Sequence, residues 1–266
     1  MKSKIKNLPI ALTIAGSDSG GGAGVQADLK TFLALGVHGT SAITCVTAQN
    51  PKRVAAIEPV SADVVRRQIE MVFAELRPDA VKTGLLWSAE IIRVVADFFA
   101  RGERPPLIVD PVMVATSGAV LLKPPAIRRL KERLLPLATL VTPNLDEAEI
   151  LSGGKLRTLD DLRSAAKEIH ARFGCPALVK GGHLRRDRLA TDVLFDGKRL
   201  YEFSSPRVRG VSTHGTGCTY SAAITALLAR SHSLPRAVVL AKRYATRAIA
   251  RSQLACGHAV LNHLPV

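Results

Sequence analysis

Residues 212–223, with the sequence STHGTGCTYSAA, are the part of the chain best suited to chemistry. Gly215 and Gly217 allow backbone N–H groups to turn toward one point, and the alanine-rich stretch after them predicts a helix whose positive N-terminal end faces that point. This arrangement suits a phosphoryl group in transfer. Cys218 would lie in the first turn, where the helix end should lower the pKa of its thiol and let the thiolate accept a proton from a hydroxyl. A small buried cysteine packing behind the loop is the alternative.

Polar residues also follow several other apolar runs. Asp110 stands before Pro111, and Asn144 and Glu147 stand at the start of a helical pattern. Their oxygens are of the type that Mg²⁺ prefers, directly or through water. Lys180 is followed by two glycines, so its ammonium group could reach nucleotide phosphates. Each has a plainer alternative: a turn residue at Asp110, a helix N-cap at Asn144 and a solvated lysine at Lys180.

A second glycine-rich segment, residues 16–24 (GSDSGGGAG), joins the first apolar run to a helical pattern. It lacks the GxGxxG order of a dinucleotide site and the Gly-Lys-Ser/Thr ending of a P-loop. One such loop is weak evidence, but two glycine-rich helix starts in one chain favour a substrate site at one and a phosphate site at the other. His214 would either support the phosphate loop or serve as a structural histidine.

Short apolar runs alternate with longer stretches of helical period, which predicts right-handed βαβ crossovers and a parallel sheet. Ligands of such sheets collect beyond the carboxyl ends of the strands, where the polar residues above would meet. Strands are predicted at Ile10–Ala15, Ser41–Thr47, Ala80–Thr83, Leu107–Asp110, Thr139–Thr142 and Ala177–Lys180, with a hairpin of Thr191–Phe195 and Arg199–Phe203. Helices are predicted at Ala23–Leu35, Ala62–Leu76, Ala89–Ala100, Pro125–Leu135, Leu159–Phe173, Gly215–Ala229 and Pro235–Ala255.

Length and composition indicate a single α/β domain over residues 1–266. The chain is 47% hydrophobic, so it can bury a large core, and its aromatic content of 4% suits helices packed on a parallel sheet. No uncharged apolar run reaches the length of about 18 residues that a membrane span needs, so no membrane partner is expected. The cysteines have neither disulfide nor zinc spacing, which fits a reducing cytoplasm: Cys45, Cys175, Cys218 and Cys256.

The formal net charge of +15 raises the possibility of a nucleic-acid or membrane-surface partner. The basic residues, however, are spread along helical faces among carboxylates, and the scarce aromatics leave no stacking platform for bases. The charge therefore favours anionic small substrates, and no nucleic-acid partner is expected.

Taken in order, the motifs resemble those of the hydroxymethylpyrimidine and phosphomethylpyrimidine kinases of thiamin biosynthesis, in the ribokinase-like superfamily. The similarity covers nearly the whole chain. Its most specific pieces are TIAGSDSGGGAGVQADLKT at 13–31, TAQN at 47–50, KTG at 82–84, DPVM at 110–113, TPN at 142–144, VKGGH at 179–183 and THGTGCT at 213–219.

The resemblance implies a ribokinase-like three-layer fold, with a largely parallel central sheet flanked by helices on both faces. It further implies a cytoplasmic homodimer that uses ATP and Mg²⁺. Gln49 would be the main specificity residue, because its amide can pair with the amino-pyrimidine edge. The residues placed near the pyrimidine by the resemblance are Gly16, Ala23, Asp28, Gln49, Leu85 and Val112.

The resemblance also assigns catalytic roles. Most ribokinase-like enzymes end the anion-binding motif with an Asp as general base, whereas this family has a Cys, which is Cys218 here. Gly215, Thr216 and Gly217 would stabilise the transferring phosphoryl group, with Thr216 also on the nucleotide side. Lys180 and Asn144 would face the nucleotide, and Asp110 and Glu147 would organise Mg²⁺.

Four positions depart from the family pattern. Pro51 and Leu85 stand where Thr and Met are usual, so the family pattern does not predict the shape of the pocket at these two positions. Ser212 replaces a frequent Asp or Asn, and Ala119 replaces a frequent Asp in the loop after Asp110, where a lid would close over the substrate.

The expected activity is ATP-dependent phosphorylation of 4-amino-5-hydroxymethyl-2-methylpyrimidine to its monophosphate and then to its diphosphate. A cysteine-ended anion loop also serves pyridoxal-phosphorylating relatives, so a pyridoxal or pyridoxine kinase is the alternative. A basic nucleic-acid-binding protein on a kinase-like scaffold is a more distant one.

Overall fold

The computed structural model describes residues 7–114, 120–182, 184, 189–208 and 214–264, and the fold is given for these residues. The strands of the large sheet are β1 (Ile10–Asp18), β2 (His38–Asn50), β3 (Arg53–Pro59), β4 (Ala80–Thr83), β5 (Leu107–Val109), β6 (Leu140–Val141), β7 (Ala177–Val179), β8 (Leu189–Phe195) and β9 (Leu200–Pro206). Their spatial order is β3-β2-β1-β4-β5-β6-β7-β8-β9. From β2 across to β7 neighbouring strands are parallel, whereas β3, β8 and β9 pair antiparallel.

Helices cover both faces of the sheet, so the predicted three-layer α/β fold is confirmed. On one face the core joins the sheet to the first and the last two helices, and on the other face it joins the sheet to the helices between them. Among the described residues, no helix is both long enough and apolar enough to cross a membrane. The helices are α1 (Gly24–Ala34), α2 (Ala62–Glu75), α3 (Ala89–Phe99), α4 (Pro124–Arg129), α5 (Leu145–Ser152), α6 (Leu159–Phe173), α7 (Thr216–Ala229) and α8 (Leu234–Ala250).

The central strands are short and apolar because both faces of the sheet are covered. In β5, Leu107 and Val109 pack into the core beneath α3, whereas Ile108 between them packs beneath α7 and α8. This alternation is what a strand requires, since successive side chains point to opposite faces. The few residues of β5 therefore fix the direction of the chain where it leaves the sheet at Asp110.

β2 is longer than predicted, and its partner β3 was not predicted from the sequence. β2 continues to Asn50, whose side-chain oxygen accepts hydrogen bonds from the N–H groups of Lys52 and Arg53 and closes the turn to β3. Most side chains of β3 are exposed or half-buried, so the segment lacks the apolar run that indicates a strand. The extension places Gln49 on a paired strand instead of in a loop.

Two predicted helices end earlier than expected. The predicted helix Pro125–Leu135 is α4 followed by a π turn (Leu130–Leu134) and a 3₁₀ turn (Leu135–Leu137), because Pro136 has no N–H to continue the ladder.

The helix predicted to reach Ala255 ends at Ala250. After it, β10 (Gln253–Ala255) and β11 (His258–Val260) form a separate hairpin. Its turn, Cys256-Gly257, has positive φ at both residues (50° and 79°), the conformation of a two-residue hairpin turn.

Ile69 and Met71 lie close together in α2 and differ in burial, because Ile69 is 0% exposed and Met71 is 69% exposed. Replacing Ile69 by Ala should lower the free energy of unfolding by about 2–5 kcal/mol, since the deleted atoms leave a cavity in the core. Met71→Ala, the matched control, should change it by less than about 0.5 kcal/mol. Urea unfolding followed by circular dichroism measures both, and equal effects of the two variants would contradict this packing.

Candidate active site

A cavity of about 580 Å³ lies beyond the carboxyl ends of the parallel strands. This is where ligands bind in open α/β sheets. The structure brings all but one of the predicted site residues to its wall. Those that line it are Gly16, Ala23, Gln49, Leu85, Asp110, Val112, Asn144, Glu147, Lys180, Gly215, Thr216, Gly217 and Cys218.

Asp28 is the exception, because it lies behind the wall and is fully buried. Its Oδ2 accepts hydrogen bonds from Lys82 Nζ at 2.8 Å and from Thr13 Oγ1 at 2.6 Å. Lys82 does line the cavity, so Asp28 is connected to the site through that side chain. Burial opposes the charge of Lys82, but the negative groups around it, Asp28 foremost and Asp110 with it, together outweigh burial and raise the pKa of its ammonium group. Lys82 therefore lies in the wall where Asp28 was expected, and the nearness of Asp28 to a pyrimidine remains a prediction.

Residues 214–218, the anion loop, begin helix α7. Gly215 caps the helix with a φ of +80°, and a Cβ at this position would collide with the carbonyl oxygen of Gly22. A Cβ at Gly217 would lie 3.4 Å from Lys180 Nζ, so the lysine ammonium group stands directly beside the loop. Thr216 Oγ1 is buried and has no hydrogen-bond partner among the described residues. A phosphoryl oxygen in the cavity would satisfy this hydroxyl and the free N–H groups of the first turn.

Asp110, Lys180 and Glu147 form a charged cluster beside the anion loop. Asp110 Oδ1 accepts a hydrogen bond from Lys180 Nζ at 3.1 Å, and its Oδ2 accepts one from Ser221 Oγ at 3.1 Å. Burial opposes the ionisation of Asp110, but the ammonium groups of Lys180 and Lys82 outweigh it and hold the pKa of the carboxyl below its usual value. Glu147 differs, because burial and the neighbouring charge of Asp110 raise its pKa to about 7 despite Lys180.

The donor set of this cluster fits Mg²⁺. Asp110 and Glu147 offer hard carboxylate oxygens, and Mg²⁺ is usually held by one or two carboxylates while water and phosphate oxygens complete its shell. Both carboxylates lie beside Lys180, and burial, followed by the charge of Asp110, raises the pKa of Glu147. A bound cation would favour the ionised form of both carboxylates. No group of three or more His, Cys, Asp or Glu side chains within the described ranges forms a metal cage by itself.

Asn144 is the N-cap of α5, which was the plainer of the two interpretations of this residue. Its side-chain oxygen accepts a hydrogen bond from the Glu147 N–H at 2.9 Å, and Glu147 Oε2 accepts one from the Asn144 N–H at 2.9 Å. This reciprocal capping box fixes the Glu147 side chain toward the cavity. The contact of Asn144 with a nucleotide remains a prediction.

The predicted lowering of the Cys218 pKa is wrong. Burial of the thiol raises its pKa to about 11, and the negative charges of Asp28 and Asp110 act in the same direction. The Lys82 ammonium group and a hydrogen bond from the Gly24 N–H favour the thiolate but do not outweigh burial. The sequence-based prediction considered only the helix N-terminus and not the burial of the thiol or the two neighbouring carboxylates.

The opposite wall of the cavity is formed by the ends of β1 and β2 and by the loop after β4. A Cβ at Gly16 would lie 2.7 Å from Cys45 Sγ and 3.5 Å from Leu85 Cδ2, so only a glycine leaves this wall flat. Gln49 is half-buried, and its Oε1 lies 3.4 Å from Thr47 Oγ1. Leu85 is part of the wall, whereas Pro51 lies in the turn beyond β2 and does not line the cavity.

Several residues of the site were missed by the sequence analysis. Asp192 Oδ2 accepts a hydrogen bond from Lys242 Nζ at 2.6 Å, and its Oδ1 accepts one from the Gly181 N–H at 3.0 Å. Both side chains line the cavity near Lys180. The available signal was a carboxylate inside the apolar strand pattern of β8 and a lysine on the apolar face of α8.

Of the positions discussed from the sequence, Ala119, His183, Ser212 and Thr213 lie outside the described residues.

Fold and site together define a class, the small-molecule kinases of the ribokinase-like type. The family model described as phosphomethylpyrimidine kinase matches residues 18–263. The chain belongs to this phosphomethylpyrimidine kinase family, so the resemblance drawn from its motifs is confirmed.

Individual relatives agree with the family. The chain is 45% identical over 254 residues to the hydroxymethylpyrimidine/phosphomethylpyrimidine kinase of Bacillus subtilis, and the match covers 95% of this chain and 94% of that protein. It is 47% identical to the thiamine biosynthesis bifunctional protein ThiED of Geobacter sulfurreducens, of which it spans about half, 52%. Among solved structures, an ADP complex of Bacillus subtilis pyridoxal kinase superposes with a TM-score of 0.88 at 38% identity, covering 97% of this chain and 98% of that one.

The high pKa of Cys218 has a direct chemical consequence, because alkylating reagents attack the thiolate and not the thiol. The rate at which iodoacetamide modifies Cys218 should rise with pH through pH 9 and reach its midpoint above pH 10. Peptide mass spectrometry after timed labelling measures this rate, with the exposed Cys256 as an internal reference for reagent access. A midpoint below pH 9 would contradict the assignment and restore the sequence-based expectation.

Proposed function

We propose that this protein transfers the γ-phosphoryl group of ATP to the hydroxymethyl arm of 4-amino-5-hydroxymethyl-2-methylpyrimidine, and then a second phosphoryl group to the monophosphate formed. The observation that carries the proposal is the continuous cavity. One wall, near Gly16 and Gln49, has room for a flat ring, and the other wall is the anion loop with Lys180 beside it. The family match and the names of the relatives support the same reaction.

Phosphoryl transfer needs alignment and charge stabilisation more than covalent chemistry from the protein. In this site the N–H groups of Gly215 to Gly217 and the Thr216 hydroxyl would donate to the oxygens of the transferring group. The Lys180 ammonium group would neutralise part of its charge from the side. Because these donors are fixed by the start of α7 and by the end of β7, they need little rearrangement when charge develops.

Cys218 would take the proton of the acceptor hydroxyl. As the acceptor oxygen forms its bond to the γ-phosphorus, the bond from that phosphorus to the bridging oxygen of ATP breaks and ADP leaves with the electron pair. The acceptor O–H bond breaks in the same transfer, and its proton passes to the sulfur as an S–H bond. The sulfur can accept it only as the thiolate, which is a minority form at neutral pH when the pKa is about 11. Lys82 favours that form, so its charge contributes to the activity without any contact with the phosphate. Mg²⁺, held by Asp110 and Glu147, would neutralise phosphate charge when bound.

Pyridoxal kinase is the second candidate, because the superposition with the Bacillus subtilis pyridoxal kinase is close. The two acceptors differ at the ring edge that Gln49 would meet. An aminopyrimidine presents an amino donor next to a ring-nitrogen acceptor, which matches a carboxamide with its own acceptor and donor. Pyridoxal has no such pair, so Gln49 favours the pyrimidine.

The cellular setting is part of the proposal. The four cysteines are free thiols, which fits a reducing cytoplasm. We expect a homodimer and no nucleic-acid partner. The surplus of positive charge is proposed to attract anionic substrates, ATP and the pyrimidine monophosphate among them.

The pure protein should release ADP from MgATP when either the pyrimidine or its monophosphate is added. Cys218→Ala should lower kcat by about 100-fold or more, since proton transfer to a positioned group contributes about 10²–10⁴ to rate. A coupled ADP-release assay measures both. Cys256→Ala is the matched control, because this thiol is exposed on the C-terminal hairpin and should leave turnover unchanged. Turnover of pyridoxal alone would assign the protein to pyridoxal phosphorylation instead, and no turnover of any acceptor would refute both proposals.

Gln49→Leu tests the recognition of the ring. Losing the amide pairing should raise KM for the pyrimidine about 10- to 100-fold, because the amino group and ring nitrogen would be buried without partners. KM for MgATP should stay within about twofold, since Gln49 lies on the far wall from Lys180. Lys52→Met, in the exposed turn between β2 and β3, controls for disturbance of this edge. Equal loss for pyrimidine and pyridoxal in Gln49→Leu would contradict the role in specificity.

A further inference from the structure

The carboxylate of Asp18, at the end of β1, organises the loop that follows it. Residues 19–23, the substrate loop, fold around this side chain. Asp18 Oδ1 accepts a hydrogen bond from the Gly20 N–H at 2.8 Å, and Oδ2 accepts bonds from Gly22 N–H at 3.1 Å and Ala23 N–H at 2.8 Å. Asp18 is only 4% exposed, so these bonds are shielded from water. The last of them positions Ala23, which lines the cavity.

The same carboxylate also binds the anion loop. His214 Nε2 lies 3.2 Å from Asp18 Oδ2, across a sequence separation of 196 residues. Because the carboxylate is an acceptor, the ring must carry its proton on Nε2 and donate it. Burial opposes the ionisation of Asp18, yet the hydrogen bonds from His214, Gly20 and Ala23 hold its pKa below the usual value. The interaction is therefore a charge-assisted hydrogen bond, which is stronger than a neutral one.

The backbones of the two loops meet at the same place. A Cβ at Gly22 would lie 2.8 Å from His214 Cδ2, and a Cβ at Gly215 would collide with the Gly22 carbonyl oxygen. The substrate loop and the anion loop are thus in direct contact, with the Asp18–His214 hydrogen bond at the edge of that contact. The two loops otherwise belong to different elements, since one follows β1 and the other begins α7.

We propose that Asp18 and His214 are positioning residues that fix the separation between the acceptor hydroxyl, held at the substrate loop, and the phosphoryl group, held at the anion loop. This inference rests on the proposed function. Neither side chain is required to touch the reacting atoms. Their bond sets the register of the two halves of the cavity, which lie on opposite sides of the transferring group.

The proposal predicts a specific kinetic pattern. Each loop keeps its own contacts with its own ligand when the bond between the loops is removed, so both substrates still bind. Their alignment is lost, and a displacement of about 1 Å can cost about 100-fold in rate. The effect therefore appears in kcat and not in either KM.

Three variants test this pattern with the pyrimidine and MgATP as substrates. His214→Ala removes the donor, and kcat should fall about 10- to 100-fold while both KM values stay within about threefold. His214→Gln places an amide N–H near the position of Nε2, and it should recover most of the lost kcat. Asp18→Asn removes the charge and replaces one acceptor oxygen of the substrate loop by an amide donor, so kcat should fall at least as much as in His214→Ala and KM for the pyrimidine should rise as well. His38→Ala is the control, because this exposed histidine begins β2 at the opposite end of the strand.

The outcomes separate this inference from the proposed function. If the wild-type protein turns over no acceptor, the proposed function fails. If the wild type is active and His214→Ala keeps its kcat, the positioning role is overturned. A rise of both KM values with unchanged kcat would also overturn it, because that pattern means a role in shaping the binding loops. Should His214→Ala fail to fold by thermal unfolding, the comparison of Asp18→Asn with His214→Gln decides: equal kcat values in these two variants would overturn the inference.

Discussion

Parallel pairing of the central strands is the constraint on which this site depends. A parallel ladder brings the carboxyl ends of its strands to the same edge, so side chains distant in sequence meet there. Asp110 and Lys180 are 70 residues apart in sequence. They lie within hydrogen-bond distance because they follow β5 and β7, which flank β6 and end at the same edge of the sheet. The strands can be as short as two residues, as β6 is, because their function is to aim the residue that follows. Helices on both faces then supply the burial that such short strands cannot supply alone.

Buried charge is the second theme of the cavity. Three lysine–aspartate pairs lie in or behind its wall: Asp28 with Lys82, Asp110 with Lys180, and Asp192 with Lys242. Buried ion pairs add little to stability, since the cost of desolvation offsets their attraction. Their placement along one cavity surrounds it with fixed charges that an anionic ligand would meet. Burial in the same cavity wall raises the pKa of Cys218 and of Glu147, so the enclosure of the cavity also affects the protonation of the groups that line it.

Much of this arrangement could be predicted from the sequence. The bounds of β4 and α6 agree with prediction, because an apolar run and a helical period flanked by capping residues are local signals. The polar residues at strand ends were found for the same reason. The predictions that were missing or wrong concern features set by tertiary contacts. The strand β3 is recognisable only beside β2, and the position of Asp28 behind the cavity wall depends on its bond to Lys82, 54 residues away. The pKa of Cys218 is set by burial, which a helix-terminus argument cannot supply. The pair of Asp192 and Lys242 joins an apolar strand to an apolar helix face, and no local pattern indicates that they meet.

The meeting of Gly22 and Gly215 backbone to backbone has a consequence for how such an enzyme can diverge. Neither position has room for a side chain, so a mutation in one loop demands a compensating movement in the other. The two loops would therefore have to change together. Leu85 and Val112, by contrast, contribute ordinary side chains to the cavity wall and can be exchanged one at a time. A change of acceptor could therefore proceed by single substitutions in that wall, which would let kinases for different acceptors share one scaffold.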